Sequence, residues 1–555
     1  MPVQLVTATP SAYAFPLLIK HLLHSALTQH PDQEIVYRDK VRHTYRDLEQ
    51  RIGRLANGLA GLGVEAGKTV AIMDWDSHRY LECFFAVPMM GAVLQTVNVR
   101  LTQDQLLYTL NHARADVLLV NSEFLPLLAA FADKLETVKT LVLIHGDQAG
   151  ESKAGLDLPF ATDYETLLAQ SSPDYDFPDF DENAKATTFY TTGTTGLPKG
   201  VYFSHRQLVL HSLSAATALG TAARQGRLHR DDVYMPITPM FHVHAWGLPY
   251  VATMLGLKQV YPGRYQADML LKLRREEKVS FSHCVPTVLH MILNHPHAKD
   301  TDLSGWKVMI GGSALAQALA CTALARGMDL FTGYGMSETC PILTIAHLPS
   351  DLVDAPAEEQ AVYRAKTGLT LPLVDLRLTD PNMGELPRDG QTTGEVVVRS
   401  PWLTQGYLHA PEASEELWEG GYLHTADIGF MDAQGWLQIT DRIKDVIKTG
   451  GEWTSSLQLE DIVGQHPAVH EVAVVGVRDD KWGERPLALV VLKPEWEGKI
   501  TAHTIRNFAA HAAEVQGVTR YGVLIQVSFV KTLARTSVGK INKRQIREDL
   551  SKAKG

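Results

Sequence analysis

The sequence predicts an α/β protein with a smaller α+β unit at its C-terminal end, and three observations carry that prediction. Strand-like runs alternate with helical periodicity between residues 69 and 144, the pattern of a largely parallel sheet. Near residue 440 the organisation changes to hairpins and then to a short series of helices and strands. At 555 residues the chain is also too long for one hydrophobic core, so two to four domains are expected.

Taken in order, the region from Phe15 to Ala60 reads as helical: Leu17, Leu18, Leu22 and Leu23, then Leu48, Ile52, Leu55 and Leu59, recur at helical spacing. Strands follow at 69–73, 92–97, 116–120 and 140–144, with helices at 103–112 and 125–134 between them. The Pro- and Asp-rich stretch 171–182 reads as a surface connection. A helix is predicted over 207–219. Beyond residue 440 the pattern is helix 457–465, strand 472–477, strand 487–492, helix 505–513, strand 524–530 and helix 542–551, the size of an independent unit.

Composition narrows the function classes. Hydrophobic residues make up 45% and charged residues 21%, as in globular proteins, and a net charge of -10 argues against general affinity for nucleic acid. Cys83, Cys284, Cys321 and Cys340 lack paired spacing, which suits a reducing compartment and neither a disulfide framework nor a zinc site. Residues 1–11 show no basic region ahead of an apolar run, and the longest apolar stretch, Phe84 to Leu94, is too short to span a bilayer. A cytoplasmic protein without an integral membrane segment is expected.

The most informative stretch is Thr191-Thr192-Gly193-Thr194-Thr195-Gly196-Leu197-Pro198-Lys199-Gly200, set between two β-branched, aromatic runs. It reads as a loop joining two strands. Its glycines let main-chain N–H groups turn toward an anion, and four threonines and one lysine add donors and charge, which suits a polyphosphate. Pro198 before Lys199 and Gly200 after it break the Walker pattern, so a P-loop NTPase is excluded. Read alone, the segment is also compatible with an ordinary Gly/Thr turn.

Two further apolar strands run into small residues, Val308 to Ala314 and Phe331 to Thr339, where a flat ring can approach the backbone and Tyr334 can stack on it. Pro239 to Trp246 reads as an aromatic, pocket-lining segment; His242 and His244 lack neighbouring ligands at metal spacing.

Together these segments resemble the adenylate-forming superfamily of acyl-CoA synthetases, adenylation domains and beetle luciferases. The motifs stand in family order: Thr191 to Gly200, Phe241 to Trp246, Gly311 to Ala314, Gly333 to Thr339, Thr425-Ala426-Asp427, Asp441 to Asp445, and Thr536-Ser537-Val538-Gly539-Lys540. Within the family, Pro239 to Trp246 and Lys448 to Trp453 look most like bacterial medium- and long-chain fatty acyl-CoA synthetases.

The resemblance implies a large N-terminal domain of layered mixed sheets and helices over 1–440, a hinge at 441–444 and a small mobile α+β domain over 445–555. It also implies two half-reactions: a carboxylate attacks the α-phosphorus of ATP to give an acyl-adenylate and pyrophosphate, and the thiol of CoA then displaces AMP. Thr191, Thr192, Gly193, Thr194, Thr195, Gly196 and Lys199 would hold the phosphates. Glu338, helped by Thr191, would hold Mg²⁺. Gly312, Ser313, Gly333 and Tyr334 would form the adenine site, with Ser337 near the α-phosphate and Asp427 and Arg442 at the ribose. Lys540 would stabilise charge during adenylation. Lys444 matches the pivot, about which the small domain would turn to bring Lys448, Gly450 and Trp453 to the nucleotide and the CoA channel. His242 and Trp246 would line the acid site, Trp246 as a gate to its tunnel. The fatty acyl relatives further suggest a homodimer.

Two departures from the family pattern stand out. His244 replaces the usual Asn beside the gate, which makes acid binding a candidate for pH dependence because His can titrate near neutrality. Residues 514–520 and Leu533-Ala534 replace a Lys-Trp-Gln-x-Pro and an Ile-Pro, so CoA contacts do not carry over. The leading expectation is an acid–thiol ligase for a medium- to long-chain fatty acid. Its alternatives are a ligase for a short, aromatic or sulfur-containing acid, a luciferase-like oxygenase, and a binding protein with a dead site. The presence of Glu338, Asp427 and Lys540 argues against the last of these.

Overall fold

Residues 3–146, 158–191, 197–449, 452–515, 526–536 and 540–554 are described here from a computed structural model. Among them the strands form four sheets. One seven-stranded sheet runs in the order Phe160–Asp163, Thr140–Ile144, Val117–Asn121, Thr69–Met73, Val93–Thr96, Lys185–Thr191, Lys199–Ser204. All its neighbours are parallel except the last pair, an antiparallel hairpin in which Thr191 faces Lys199 and Tyr190 faces Gly200. The interior strands are Val-, Leu- and Ile-rich and buried end to end, as parallel strands covered on both faces must be.

A nine-stranded sheet has a parallel centre, Asp329–Gly335, Lys307–Ile310, Phe281–Cys284, Val233–Pro236, Lys258–Tyr261 and Glu34–Tyr37, with antiparallel strands at its edges. The alternating pattern thus yields two sheets of parallel type, with helices such as His78–Met89 between them; all twelve residues of that helix are buried, which is where the long apolar stretch goes. A four-stranded antiparallel sheet, Asp375–Thr379, Gly394–Arg399, Leu423–Met431 and Leu437–Arg442, follows. Its last hairpin turns at Asp432, whose carboxylate accepts from the N–H groups of Gln434 and Trp436.

The C-terminal unit is the predicted α+β pattern. A long hairpin, Val469–Asp479 with Gly483–Leu492, takes Gln526–Phe529 as a parallel neighbour and carries helices Ser456–Gly464, Ala502–Val515 and Lys543–Lys554. It has hydrophobic clusters of its own, built around Ile447, Leu459, Val474, Val490 and Ile505 and around Val475, Leu533 and Ile546. The segment leading into it is tied down by charge: Asp441 accepts from the Ser456 N–H, and Arg547 pairs with Asp445 at 2.7 Å.

Two local readings are corrected. The stretch from Phe15 to Ala60 is not purely helical: helices His21–Gln29 and Tyr45–Gly61 flank a hairpin, Glu34–Tyr37 with Val41–Thr44. Its four-residue strands are too short to show a period-2 signal. The segment 125–134 is a short helix, Leu125–Ala129, followed by a separate 3₁₀ turn, Ala132–Lys134.

Candidate active site

The parallel strands deliver their ends to one place, as open α/β sheets generally do. Lys307–Ile310 runs into Gly311 to Ala314, and Asp329–Gly335 into a 3₁₀ turn, Ser337–Thr339. Gly312 holds φ +80, a conformation that favours glycine, and a Cβ there would lie 3.1 Å from Cε of Lys540, so a side chain would press on that lysine. Gly311 is as constrained: a Cβ would stand 2.7 Å from the Gly333 carbonyl oxygen and 2.9 Å from the Trp246 ring. Ser313 is exposed and Ser337 half-buried.

The antiparallel sheet adds Asp427 and Arg442, which sit opposite one another across adjacent strands. Buried Asp427 accepts from the Tyr334 hydroxyl at 2.8 Å and from Nε of Arg442 at 3.2 Å. Its contact with Asp427 raises the pKa of Arg442. This arrangement offers a carboxylate held in one orientation beside a half-exposed cation. With Asp427 accepting the ribose hydroxyls, as the family resemblance implies, Asp427→Ala is expected to weaken ATP binding roughly 10- to 100-fold, the cost of one lost hydrogen bond to a charged group. Equilibrium binding of ATP checks this.

Glu338 lies buried in the 3₁₀ turn, with Oε1 accepting from the Tyr407 hydroxyl at 2.8 Å. Burial pushes its carboxyl above the usual range, with Tyr407, Arg442 and Lys199 opposing the push. Lys199, the first residue of its strand, places Nζ 4.4 Å from the centre of the Tyr407 ring. Tyr407, unrecognised in the sequence, thus joins Lys199 of the Thr191–Lys199 hairpin to the acidic residue. It is held there by the Leu408 N–H, which donates to Gly200, and by a bridge pairing Val201 with Tyr407. Thr191 ends the facing strand; Thr192, Gly193, Thr194, Thr195 and Gly196 lie outside the described residues.

Lys540 comes from the C-terminal unit. Its N–H donates to the Thr536 hydroxyl, and the Thr536 N–H donates back to the Lys540 carbonyl. Burial, reinforced by Arg442 and opposed by Asp427 and Glu338, pulls its ammonium pKa down to about 8. The structure therefore brings together Lys199, Glu338, Tyr334, Asp427, Arg442 and Lys540. Lys444 and Lys448 are exposed; the Lys448 N–H donates to Glu484, and Lys448 pairs with Trp453 across a short hairpin. Gly450 and the Trp453 side chain lie outside the described residues.

The aromatic segment forms the neighbouring wall. Val243, His244, Ala245 and Trp246 hold φ of +47, +55, +48 and +60, and Gly247 follows at +72, so five successive residues are left-handed. Trp246 is buried against Gly311 and has the His283 ring 5.0 Å away. Burial and the nearby Lys540 and Arg100 push His242 down to about 3. His244 is also pushed down to about 3 by burial, among Phe84, Phe189, Phe203 and Tyr250, and neither of its ring nitrogens has a hydrogen-bond partner among the described residues. The expectation that His244 titrates near neutrality is thus corrected: the aromatic cage keeps it neutral. No helix among the described residues is long and apolar enough to cross a membrane.

Similarity to known proteins agrees with this geometry. Residues 23–408 match the model of the AMP-binding enzyme family, and residues 458–540 that of the AMP-binding enzyme C-terminal domain. A long-chain-fatty-acid–CoA ligase of Thermus thermophilus is 40% identical over 510 residues, covering 91% of this chain and 90% of that protein. A 3-methylmercaptopropionyl-CoA ligase of Ruegeria lacuscaerulensis is 36% identical over 550 residues, covering 97% and 98%. A crystal structure of ATP-bound MatB from Rhodopseudomonas palustris superposes with a TM-score of 0.80 at 25% identity, over 96% of this chain and 99% of that one. With its ordered motifs, its converging site and a family match over most of its length, the chain belongs to the AMP-binding enzymes, the adenylate-forming superfamily.

Proposed function

We propose that this protein is an ATP-dependent ligase that joins a medium- to long-chain fatty acid to CoA through an acyl-adenylate. The observation that carries the reading is the arrival of Lys540 in the site that holds Glu338, Asp427 and Arg442. In the first half-reaction a carboxylate oxygen of the acid bonds to the α-phosphorus of ATP and pyrophosphate leaves. In the second, the CoA sulfur bonds to the acyl carbon and AMP leaves. Such chemistry needs positioning and fixed charge more than bond-making by the protein. Asp427 would accept the ribose hydroxyls, Gly312, Ser313, Gly333 and Tyr334 would pack against adenine, and Lys199 with residues 191–196 would hold the β- and γ-phosphates. Lys540 would meet the carboxylate and α-phosphate as charge develops between them.

Glu338 suits Mg²⁺. It is an oxygen donor in a buried position where burial disfavours its ionised form, so a divalent cation bound there would relieve an unfavourable charge. Glu338 and the Thr191 hydroxyl would hold the ion, which would neutralise part of the triphosphate charge. The small C-terminal domain would pivot at 441–444, with Lys444 as the hinge residue, withdrawing Lys540 and presenting Lys448, Gly450 and Trp453 for thioester formation.

The fatty acid class draws its support from the apolar wall around Trp246 and from the Thermus ligase relative. A shorter, sulfur-containing acid is the second reading, favoured by the Ruegeria relative, of similar coverage and identity. Acid-dependent ATP–pyrophosphate exchange across straight-chain acids from acetate to palmitate, repeated with CoA and thioester detection, separates the two. Each buried methylene contributes roughly 0.8 kcal/mol, so kcat/KM is expected to rise about fourfold per carbon until the tunnel is filled. A maximum at three or four carbons would favour the second reading, and exchange without thioester would remove CoA as acceptor.

A further inference from the structure

Helix Pro286–Leu293 starts beside the Gly311 to Ala314 loop, where Val285 lies by Gly312, and is followed by a His-Pro-His turn that the chemistry proposed above does not use. There His295 and His297 meet Asp268, from the first turn of helix Ala267–Glu276. Oδ1 of Asp268 lies 3.4 Å from Nε2 of His295 and 3.0 Å from Nδ1 of His297, and one donor atom from each of the three lies within 4.8 Å of the others. Among the described residues no other three His, Cys, Asp or Glu side chains converge in this way. The turn is fixed by its backbone: the His295 carbonyl accepts from the Ala298 N–H at 2.9 Å, the His297 carbonyl from the Thr301 hydroxyl at 2.8 Å, and Arg326 donates to the Ala298 carbonyl. Ala298 is buried in the same hydrophobic cluster as Leu270 and Leu271 of the Asp268 helix, so turn and helix rest on one floor.

We propose that Asp268, His295 and His297 form a binding site for a divalent transition-metal ion of the Zn²⁺ type, which staples the turn to the helix and keeps one coordination position open to solvent. Two imidazoles and a carboxylate are a donor set that Zn²⁺ takes, whereas Mg²⁺ and Ca²⁺ prefer oxygen ligands throughout. An ion about 2.0–2.2 Å from tetrahedrally placed donors holds them roughly 3.3–3.6 Å apart, close to the two separations found here. The elements that carry the ligands are already packed, so binding has little backbone to order. Asp268 and His297 are 69% and 68% exposed, which gives the ion a way in and water a place in its shell. Without a cation, the ring nitrogens that face Asp268 carry protons, and Nδ1 of His295 takes a long contact, 3.4 Å, from the His297 N–H. Binding moves each of those protons to the opposite ring nitrogen. Two imidazole–carboxylate contacts and that long one are exchanged for three metal–ligand bonds.

Calorimetric titration of full-length, metal-stripped protein with Zn²⁺ at neutral pH should show one tight site per chain that excess Mg²⁺ does not displace. Asp268→Asn and His297→Ala each remove one of three ligands, so each should weaken the site by at least the roughly 10- to 100-fold that loss of a mere outer partner costs. Both changes lie at exposed positions, and the metal-free melting midpoints should stay near wild type, showing that the variants fold. Zn²⁺ at a hundred times its Kd should favour the folded wild-type protein about 100-fold and raise its melting midpoint, a rise that both variants lose. The chain has 23 histidines, so binding elsewhere must be told apart from binding here. A titration unchanged in both variants would mean adventitious binding to other histidines and would overturn the assignment. No tight site in the wild type would overturn it as well, leaving the three side chains as an ion-paired cluster only.

Discussion

Replacing Lys540 with alanine is expected to lower acid-dependent ATP–pyrophosphate exchange by roughly 10²- to 10³-fold, the effect of removing one preorganised donor from a charge-stabilising site. Thioester formation from preformed acyl-adenylate should change little, because the proposed second half-reaction proceeds with this lysine withdrawn. The distinction matters because the site holds other cations, Lys199 and Arg442, which could preserve ATP binding in the variant. The loss is therefore expected in kcat for exchange and not in ATP affinity. A pH dependence follows from the burial of the amine. Burial pulls the ammonium pKa down to about 8, so the charged form on which the proposed adenylation draws declines above that pH. Plotted as kcat/KM, which reports the free enzyme, exchange should fall through about pH 8. The profile of kcat should fall at higher pH, since bound triphosphate and carboxylate favour the proton. The Lys540→Ala variant should lose this limb altogether, and its persistence would assign the titration to another group.

The parts of this site legible in the sequence are those with local grammar. The hairpin around Thr191 and Lys199 announces itself by Gly and Thr between β-branched runs, and Gly311 and Gly333 by small residues at strand ends. Glu338, Asp427 and Lys540 gain meaning from the order of their motifs, since a lone acidic or basic residue in a turn says nothing. Tyr407 carries no such pattern. Its role depends on pairing with Val201, some two hundred residues earlier, and on a hydroxyl that reaches Glu338. His244 shows the converse error: its residue type suggests titration near neutrality, but four aromatic rings around it decide otherwise, and burial of that kind is set by tertiary packing.

Asp76 is another residue whose importance lies in distant partners, and it leads to the largest stability effect expected here. Its buried carboxylate accepts from the Met240 N–H at 2.9 Å and from the Tyr265 hydroxyl, while its carbonyl accepts from Gly263. Met240 opens the segment that continues into the left-handed turn at Val243 to Trp246. Four non-glycine residues in that conformation cost about 1–2 kcal/mol each, so the turn persists only because its surroundings over-determine it. Asp76 is one anchor, and the Thr96 hydroxyl donating to the Phe241 carbonyl is another. Removing the carboxyl group in Asp76→Ala leaves the Met240 N–H and the Tyr265 hydroxyl without their buried partner, a loss of about 2–4 kcal/mol at pH 6.

The loss should shrink with rising pH. Burial and neighbouring Asp74 push the Asp76 carboxyl up to about 7, against the pull of Tyr265, Met240 and Arg100. Between roughly pH 4, where an unfolded Asp ionises, and pH 7, the folded protein keeps a proton that the unfolded chain has released. The stability this group contributes is therefore complete below about pH 4 and is lost as pH rises through 7, by about 4 kcal/mol in all. Asp76→Asn keeps an acceptor for Met240 but cannot ionise, so its denaturation midpoint should be nearly flat over the window in which the wild-type midpoint falls. Parallel curves for the two would mean that another group carries the dependence. Because the same residue anchors the turn that bears Trp246, Asp76→Ala should also raise KM for the acid more than it raises KM for ATP, whereas Asp76→Asn should leave both near wild type. A variant that lost stability without that asymmetry would separate the anchoring of the fold from the anchoring of Trp246.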